Sequence, residues 1–276
     1  MLRVTLPAQP EAPVAITPRA DFLAAEEPLG IRVNGSALSM TMRTPGEDVE
    51  LAAGFLVSEA IVSSPADIAE VKLCDGASCA HEHRHDDLGN IADVRLAPGV
   101  EVSAAARRNF MTTSACGVCG KTSIEDICVL PQAALSGDDT RFSPAVLATL
   151  PDRLREAQRV FERTGGLHAA GLFTPAGDLV AIREDVGRHN AVDKIVGWAL
   201  LSGRLPLRGH VLLVSGRASF ELVQKAVLAG IPLLAAVSAP SSLAAGLAEE
   251  AGLTLVGFLR GQSMNVYTGG HRLTAG

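Results

Sequence analysis

Aromatic residues are scarce in this chain of 276 residues, which holds one Trp, one Tyr and eight Phe. Its core must therefore be built mainly from Ala, Leu and Val. Cysteine is sparse as well. Five cysteines in a chain of this length are not a disulfide framework, and an odd count with one close pair suits a reducing, cytoplasmic setting. Long apolar runs are missing. The longest, such as residues 231–237, are strand-length, so no transmembrane helix and no membrane partner is expected. Residues 1–20 carry four prolines and no continuous apolar stretch, and read as neither a signal peptide nor an anchor. Positive charge is not in excess either. A net charge of −6 argues against a nucleic-acid surface as the main function, while a local basic pocket for a phosphorylated ligand remains compatible with it.

What is present indicates a folded chain. Apolar residues make up 47% and charged residues 20%, a balance of a globular protein rather than a disordered one. The length allows one large domain or two small ones. Residues 1–28 look like a loose, Pro-rich lead-in. Asn34-Gly35 between alternating segments is a hairpin signal. Thr44-Pro45-Gly46-Glu47 reads as an N-cap, a proline at the first helical position and a carboxylate three residues after the cap, opening a helix to about Ala60. Strands are expected over residues 68–73 and 91–96, with a loop rich in Cys and His between them.

The second half opens at Ser143-Pro144, another helix start, with Pro151 expected to divide the helical stretch and Thr164-Gly165-Gly166 to close it. Residues 167–173 and 179–183 flank a turn at Pro175-Ala176-Gly177-Asp178. Helices over about 190–201, 220–229 and 242–251 then alternate with strands over 210–215, 232–237 and 254–258. The pattern implies a mostly parallel sheet with helices on its faces. The expected division is a β-rich N-terminal domain over 1–108, a cysteine-bearing loop over 109–122 and an α/β domain over 123–276.

Two features carry the chemistry. The first is Thr112-Thr113-Ser114-Ala115-Cys116-Gly117-Val118-Cys119-Gly120-Lys121, a Cys-x-x-Cys in a stretch without helical or strand period. Such a pair serves redox exchange, metal binding, nucleophilic catalysis or sulfur carriage. Half of a zinc site would need two more ligands, and the donors at Cys74, Cys79, His81, His83 and His85 lack a second close pair. A thioredoxin-like role would need a buried strand directly before the pair, and residues 107–112 are not one. A reactive thiol on an exposed loop fits better.

The second feature is a set of strand ends: Arg183-Glu184-Asp185-Val186-Gly187-Arg188-His189-Asn190, Ser215-Gly216-Arg217-Ala218-Ser219, Ser238-Ala239-Pro240-Ser241-Ser242 and Phe258-Leu259-Arg260-Gly261-Gln262-Ser263. Ligands of open α/β sheets bind at such ends. Small residues admit an anion to the backbone and arginine supplies a fork of donors. Four such loops in register point to a phosphate- or nucleotide-bearing ligand. Gly187, Arg188, His189, Ser215, Gly216, Arg217 and Ser238 are the candidates, with His189 open to a role as general base, helix cap or ligand contact. Glu184, Asp185 and Asp193 are candidates to pair with Arg183, Arg188 or Lys194.

These loops and the cysteine pair together resemble the formate dehydrogenase accessory sulfurtransferase family (FdhD-type). The resemblance rests also on Glu27-Pro28-Leu29, Val33-Asn34-Gly35, Met42-Arg43-Thr44-Pro45-Gly46-Glu47-Asp48, Glu50-Leu51-Ala52-Ala53-Gly54-Phe55-Leu56, Gly166-Leu167-His168-Ala169-Ala170, Asn190-Ala191-Val192-Asp193-Lys194 and Met264-Asn265-Val266-Tyr267. It covers nearly the whole chain after about Glu27. It implies that a cysteine desulfurase hands sulfur to Cys116 as a persulfide, with Cys119 as helper or second carrier. The sulfur then passes to the molybdenum cofactor, a bis-molybdopterin guanine dinucleotide bound as substrate, before the cofactor enters the catalytic subunit of formate dehydrogenase. It also implies a homodimer, a cofactor contact over Phe258, Leu259, Arg260, Gly261, Gln262 and Ser263, no tightly bound metal, and a C-terminal α/β part with a mixed sheet resembling the cytidine deaminase fold. The deaminase chemistry is not expected. Zinc deaminases use His-x-Glu followed by Cys-x-x-Cys, whereas Ala170 stands where the Glu would be and the cysteine pair precedes His168. The alternative to sulfur carriage is a chaperone that holds and delivers the cofactor without carrying sulfur.

Overall fold

A computed structural model describes residues 1–6, 14–74, 89–102, 135 and 137–274. The cysteine pair Cys116 and Cys119, the expected loop 109–122 with its domain boundary at 108, and most of the Cys/His loop at 74–87 lie outside the described residues.

The Pro-rich lead-in is not wholly loose. It holds an antiparallel pair, β1 (Leu2–Thr5) and β2 (Ala15–Pro18), every residue of which is exposed. The Asn34-Gly35 hairpin forms as expected between β3 (Glu27–Val33) and β4 (Ser36–Arg43). Both turn residues take positive φ, 50° and 78°, the signature of the two-residue turn that matches strand twist.

Helix α1 (Asp48–Ser58) starts one turn later than the sequence suggests. Gly46 and Glu47 both have positive φ, and Thr44 does not cap it. The Thr44 hydroxyl instead accepts the Val186 N–H at 3.1 Å. A long-range contact has taken the oxygen that a local cap would have used. Strands β5 (Ile68–Cys74) and β6 (Ile91–Leu96) complete a four-stranded sheet in the order β4-β3-β6-β5.

Helix α2 (Pro144–Ala157) begins with Ser143 at its N-cap position and Pro144 in its first turn. Pro151 does not divide it. Leu147, Leu150 and Leu154 form one buried face across the proline, and that packing holds the helix through the lost N–H donor. The break comes at Gln158, before α3 (Arg159–Thr164), which ends at Gly165 with φ 68°.

A six-stranded sheet follows. Its strands are β7 (His168–Phe173), β8 (Leu179–Asp185), β9 (Val211–Val214), β10 (Leu233–Ala236), β11 (Thr254–Arg260) and β12 (Ser263–Thr268), in the order β12-β11-β10-β9-β7-β8. The helices between them are α4 (Arg188–Leu201), α5 (Phe220–Leu228) and α6 (Ser242–Glu250). The sheet is mixed, not mostly parallel: β9-β10 and β10-β11 are parallel, while β7-β8, β7-β9 and β11-β12 are antiparallel. Residues 263–268, which sequence periodicity did not mark as a strand, pair back on β11. Their side chains are mostly exposed, so the alternation that marks a half-buried strand is missing.

Both faces of this sheet are covered. Along β9, Val211 and Leu213 join the core under α2, while Leu212 and Val214 join the core under α4, α5 and α6. The four residues are all apolar because successive side chains point to opposite, equally dry faces. The second core continues through α1 into Leu29, Ile31, Val94 and Leu96 of the small sheet.

Helices α1 and α4 cross with their backbones in close approach. A Cβ on Gly54 would overlap the carbonyl of Asp193, and one on Gly197 would overlap the carbonyl of Glu50. Only hydrogen on both α-carbons permits this crossing. Buried polar groups fix it further. Lys225 places its ammonium 2.7 Å from Asp193, which also accepts from the Ser58 hydroxyl at 2.6 Å. Burial pushes the Asp193 carboxyl up, against the pull of Lys225.

Candidate functional site

Strand direction decides where the predicted loops meet. β8 runs antiparallel to β7, and β7 antiparallel to β9. Therefore β8, β9, β10 and β11 all point the same way, and their carboxyl ends share one edge with the start of β7. The loops there are stitched by backbone hydrogen bonds. Ser238 N–H donates to Gly216 O at 3.2 Å, Phe258 N–H to Ser238 O at 3.1 Å, and Ala218 N–H to Ala239 O at 3.2 Å. The structure thus gathers Gly187, Arg188, His189, Ser215, Gly216, Arg217 and Ser238.

A cavity of about 230 Å³ opens at this edge, lined by Arg188, Arg217, Ala218, Ser219, Ala239, Pro240 and Ser241. Two helices start at its wall. Ser219 precedes α5 and makes no side-chain cap bond there, whereas the Ser241 hydroxyl caps α6 by accepting the Ala244 N–H at 3.2 Å. Both helix starts favour negative charge. Arg188 Nε is buried and has no hydrogen-bond acceptor among the described residues. A buried donor without an acceptor suits a ligand that brings one. Two arginines, two helix starts and an open donor give this cavity donor groups and no carboxylate among its lining residues.

His189, in the first turn of α4, reaches the start of α5 at this wall. Its Nε2 lies 3.2 Å from the Ser219 hydroxyl and 3.7 Å from the Glu221 carboxylate. Ser215 is partly spent on the fold, because its hydroxyl accepts the Ala169 N–H at 2.9 Å.

The Phe258–Ser263 segment is split between roles. Phe258, at φ 51°, sits at a bulge against Ser238, and Arg260 lies 5.6 Å over its ring. Leu259 is fully buried in the core beneath α2. Gly261, Gln262 and Ser263 form the exposed tip of the β11-β12 hairpin.

The predicted carboxylate partners sort differently as well. Asp185 pairs with Lys194 at 2.9 Å, as the sequence allowed. Asp193 pairs instead with Lys225, and Arg183 with Glu50. Glu184 is used as a cap from outside, accepting the Val160 and Phe161 N–H groups of α3 at 2.9 and 2.7 Å.

These observations meet a finding from known proteins. The model of the FdhD/NarQ family matches residues 24–274. The chain belongs to that family. A protein called sulfur carrier protein FdhD from Streptomyces avermitilis is 61% identical over 94% of this chain and 91% of its own length. One of the same name from Mycobacterium tuberculosis is 54% identical over 93% of both. A crystal structure from Desulfotalea psychrophila, described as a formate dehydrogenase accessory protein, covers 99% of each chain with a TM-score of 0.69 at 22% identity, a likeness of fold. Among the described residues of this FdhD/NarQ member, no helix is long and apolar enough to cross a membrane.

One feature of this family member was invisible in its sequence. A second cavity, of about 540 Å³, lies on the α2 side of the same edge. Its walls include Leu154, Arg155, Gln158, Phe161, His168 and Ser215. The Arg155 guanidinium stands 4.4 Å over the Phe161 ring. The His168 ring lies beneath Gly216, where an added Cβ would be 3.5 Å away. Burial, and then nearby Arg188, push the His168 imidazole below its usual range, with Asp185 opposing. His168 is therefore neutral near pH 7. Its contribution follows from strand β7 running against its neighbours, which local spacing does not encode.

Proposed function

We propose that this chain is a sulfur carrier serving formate dehydrogenase. In this reading Cys116 takes sulfur from a cysteine desulfurase as a persulfide and passes it to a molybdenum cofactor of the guanine dinucleotide type. The supporting observation is its likeness, at 61% identity over most of both chains, to a relative called a sulfur carrier protein. In the loading step, the Cys116 thiolate attacks the outer sulfur of the donor's persulfide. The donor's S–S bond breaks, its cysteine leaves as a thiolate, and the new persulfide rests on Cys116. No external oxidant enters, because the transferred sulfur keeps its oxidation level.

The anion pocket supports the cofactor half of the reading. Arg188, Arg217 and the starts of α5 and α6 would hold the diphosphate of the guanine dinucleotide. They supply charge-assisted donors, bind and orient the cargo, and leave its reactive end to the sulfur-bearing cysteine. The alternative is a chaperone that holds this cofactor while the cysteines only position it. That reading draws on the pocket and not on the thiols.

Intact mass after incubation with a cysteine desulfurase and cysteine separates the two. A reductant-labile gain of one sulfur atom, absent in Cys116→Ala, is the expected result. No gain in either protein would favour the chaperone. In the same protein, Arg188→Ala is expected to weaken binding of guanosine diphosphate by roughly 10- to 100-fold, the range of a charge-assisted bond.

A further inference from the structure

Asp185 stands at the junction between the anion pocket and the N-terminal part of the chain, and its carboxylate is fully buried. Its two oxygens face different partners. Oδ1 accepts the Gly187 N–H at 2.8 Å and the Asn190 side-chain amide at 3.0 Å. Oδ2 accepts the Thr44 N–H at 3.1 Å and Lys194 Nζ at 2.9 Å. The first oxygen holds the turn that carries Arg188. The second holds the loop between β4 and α1.

Four more bonds close the same junction. Thr44 Oγ1 accepts the Val186 N–H at 3.1 Å. The Asn190 side chain donates to Met42 O at 2.8 Å and accepts from the Thr41 hydroxyl at 3.2 Å. Lys194 Nζ, itself fully buried, also donates to Thr44 O at 3.0 Å. Every residue from 185 to 187 is thus bonded to its own turn or to the 41–44 segment. Arg188 follows directly, at the first position of α4, with its Nε open for a ligand.

We propose that Asp185 and Thr44 are positioning residues for the anion pocket, aiming Arg188 by clamping the 185–187 turn to the end of β4. The inference rests on the reading of the Arg188–Arg217 cavity as an anion site. Neither Asp185 nor Thr44 lines that cavity, so each acts through Arg188. The physical basis is that an arginine's five donors are useful only when the fork is held in place, and small displacements of a positioning group cost binding steeply. The clamp also gives the N-terminal sheet a means to affect ligand affinity across the chain. That sheet supplies Met42, and Thr44 follows directly on its strand β4; both lie far from Asp185 in sequence.

The test uses the full chain with guanosine diphosphate and with inorganic pyrophosphate as probes, read by calorimetry well below the unfolding temperature of each variant. Asp185→Asn also removes the nearer and fully buried of the two carboxylates beside Lys194, leaving only half-exposed Glu47 at 3.6 Å, so Thr44→Val is the deciding substitution. It removes one hydroxyl acceptor and leaves every lining residue in place. Thr44→Val should weaken both probes about tenfold, with an unchanged circular dichroism spectrum. Thr44→Ser, which keeps the hydroxyl, should bind as the wild type does. Wild-type affinity in Thr44→Val, or an equal loss in Thr44→Ser, would overturn the positioning role. A wild-type protein that binds neither probe would instead overturn the anion-site reading beneath it.

Discussion

Two hairpins of this chain share an alternating apolar pattern and end in opposite surroundings. In β1-β2, Leu2, Val4 and Ile16 are 66%, 57% and 60% exposed. In β3-β4, Leu29, Ile31 and Val33 are at most 4% exposed. Both are antiparallel pairs, β1-β2 in one register throughout and β3-β4 with a shift between Ile31 and Arg32. The difference lies in what covers them. The second hairpin gains β6 as a neighbour and α1 as a lid, and α1 is itself seated on α4 through Gly54 and Gly197. A two-stranded hairpin alone buries too little to be stable. Alternation therefore marks a face that can be buried, while burial itself depends on a distant helix.

The contrast predicts a hierarchy of effects. The seat of the lid should matter most. Gly197→Ala drives a methyl into the Glu50 carbonyl and forces α1 off α4. A loss of at least about 4 kcal/mol, or failure to fold, is expected in urea denaturation. A near-neutral result would mean that the crossing is looser than described and the lid dispensable.

Next comes the covered strand. Ile31→Ala should cost about 3 kcal/mol as a buried large-to-small change. A midpoint shift near zero would show that the small sheet is not part of the cooperative core.

A smaller effect is expected from pH. His168 has its imidazole depressed below the usual value of about 6.5. The unfolded chain therefore takes up a proton first. Stability from this group is whole above about pH 6.5 and falls as pH drops toward the lower folded value. Thermal midpoints measured between about pH 8 and 5.5 should decline less in His168→Gln than in the wild type. Parallel declines in the two proteins would place the responsible group elsewhere.

The smallest effect belongs to the uncovered hairpin. Ile16→Ala, close in chemistry to Ile31→Ala, should change stability by less than about 0.5 kcal/mol. A cost like that of Ile31 would reveal a cover on β1-β2.

Much of this was readable beforehand, for local reasons. Asn34-Gly35 specified its turn because few residue pairs accept two positive φ values in succession. Ser143-Pro144 marked a helix start because proline fits where no N–H partner exists. Strand β6 was read with its observed ends, because its alternation is local. The strand-end glycines and arginines were singled out before any strand direction was known, and those loops together with the cysteine pair led to the family.

Other features escaped because their cause lies far along the chain. Thr44 has the form of a cap, yet its hydroxyl serves Val186, 142 residues away. Pro151 has the form of a breaker, yet three leucines packed beneath the large sheet hold α2 together. Strand β12 left no alternation because most of its side chains meet solvent. His168 joined the site only because β7 runs against β8 and β9. Spacing along a chain records the backbone's local preferences and the chemical types available, so the sequence alone determined the turns, most of the elements and which residue types stand at the strand ends. Which oxygen serves which donor, which proline is tolerated and which loops share an edge were decided only in three dimensions, because those choices depend on burial and on partners that the chain brings together last.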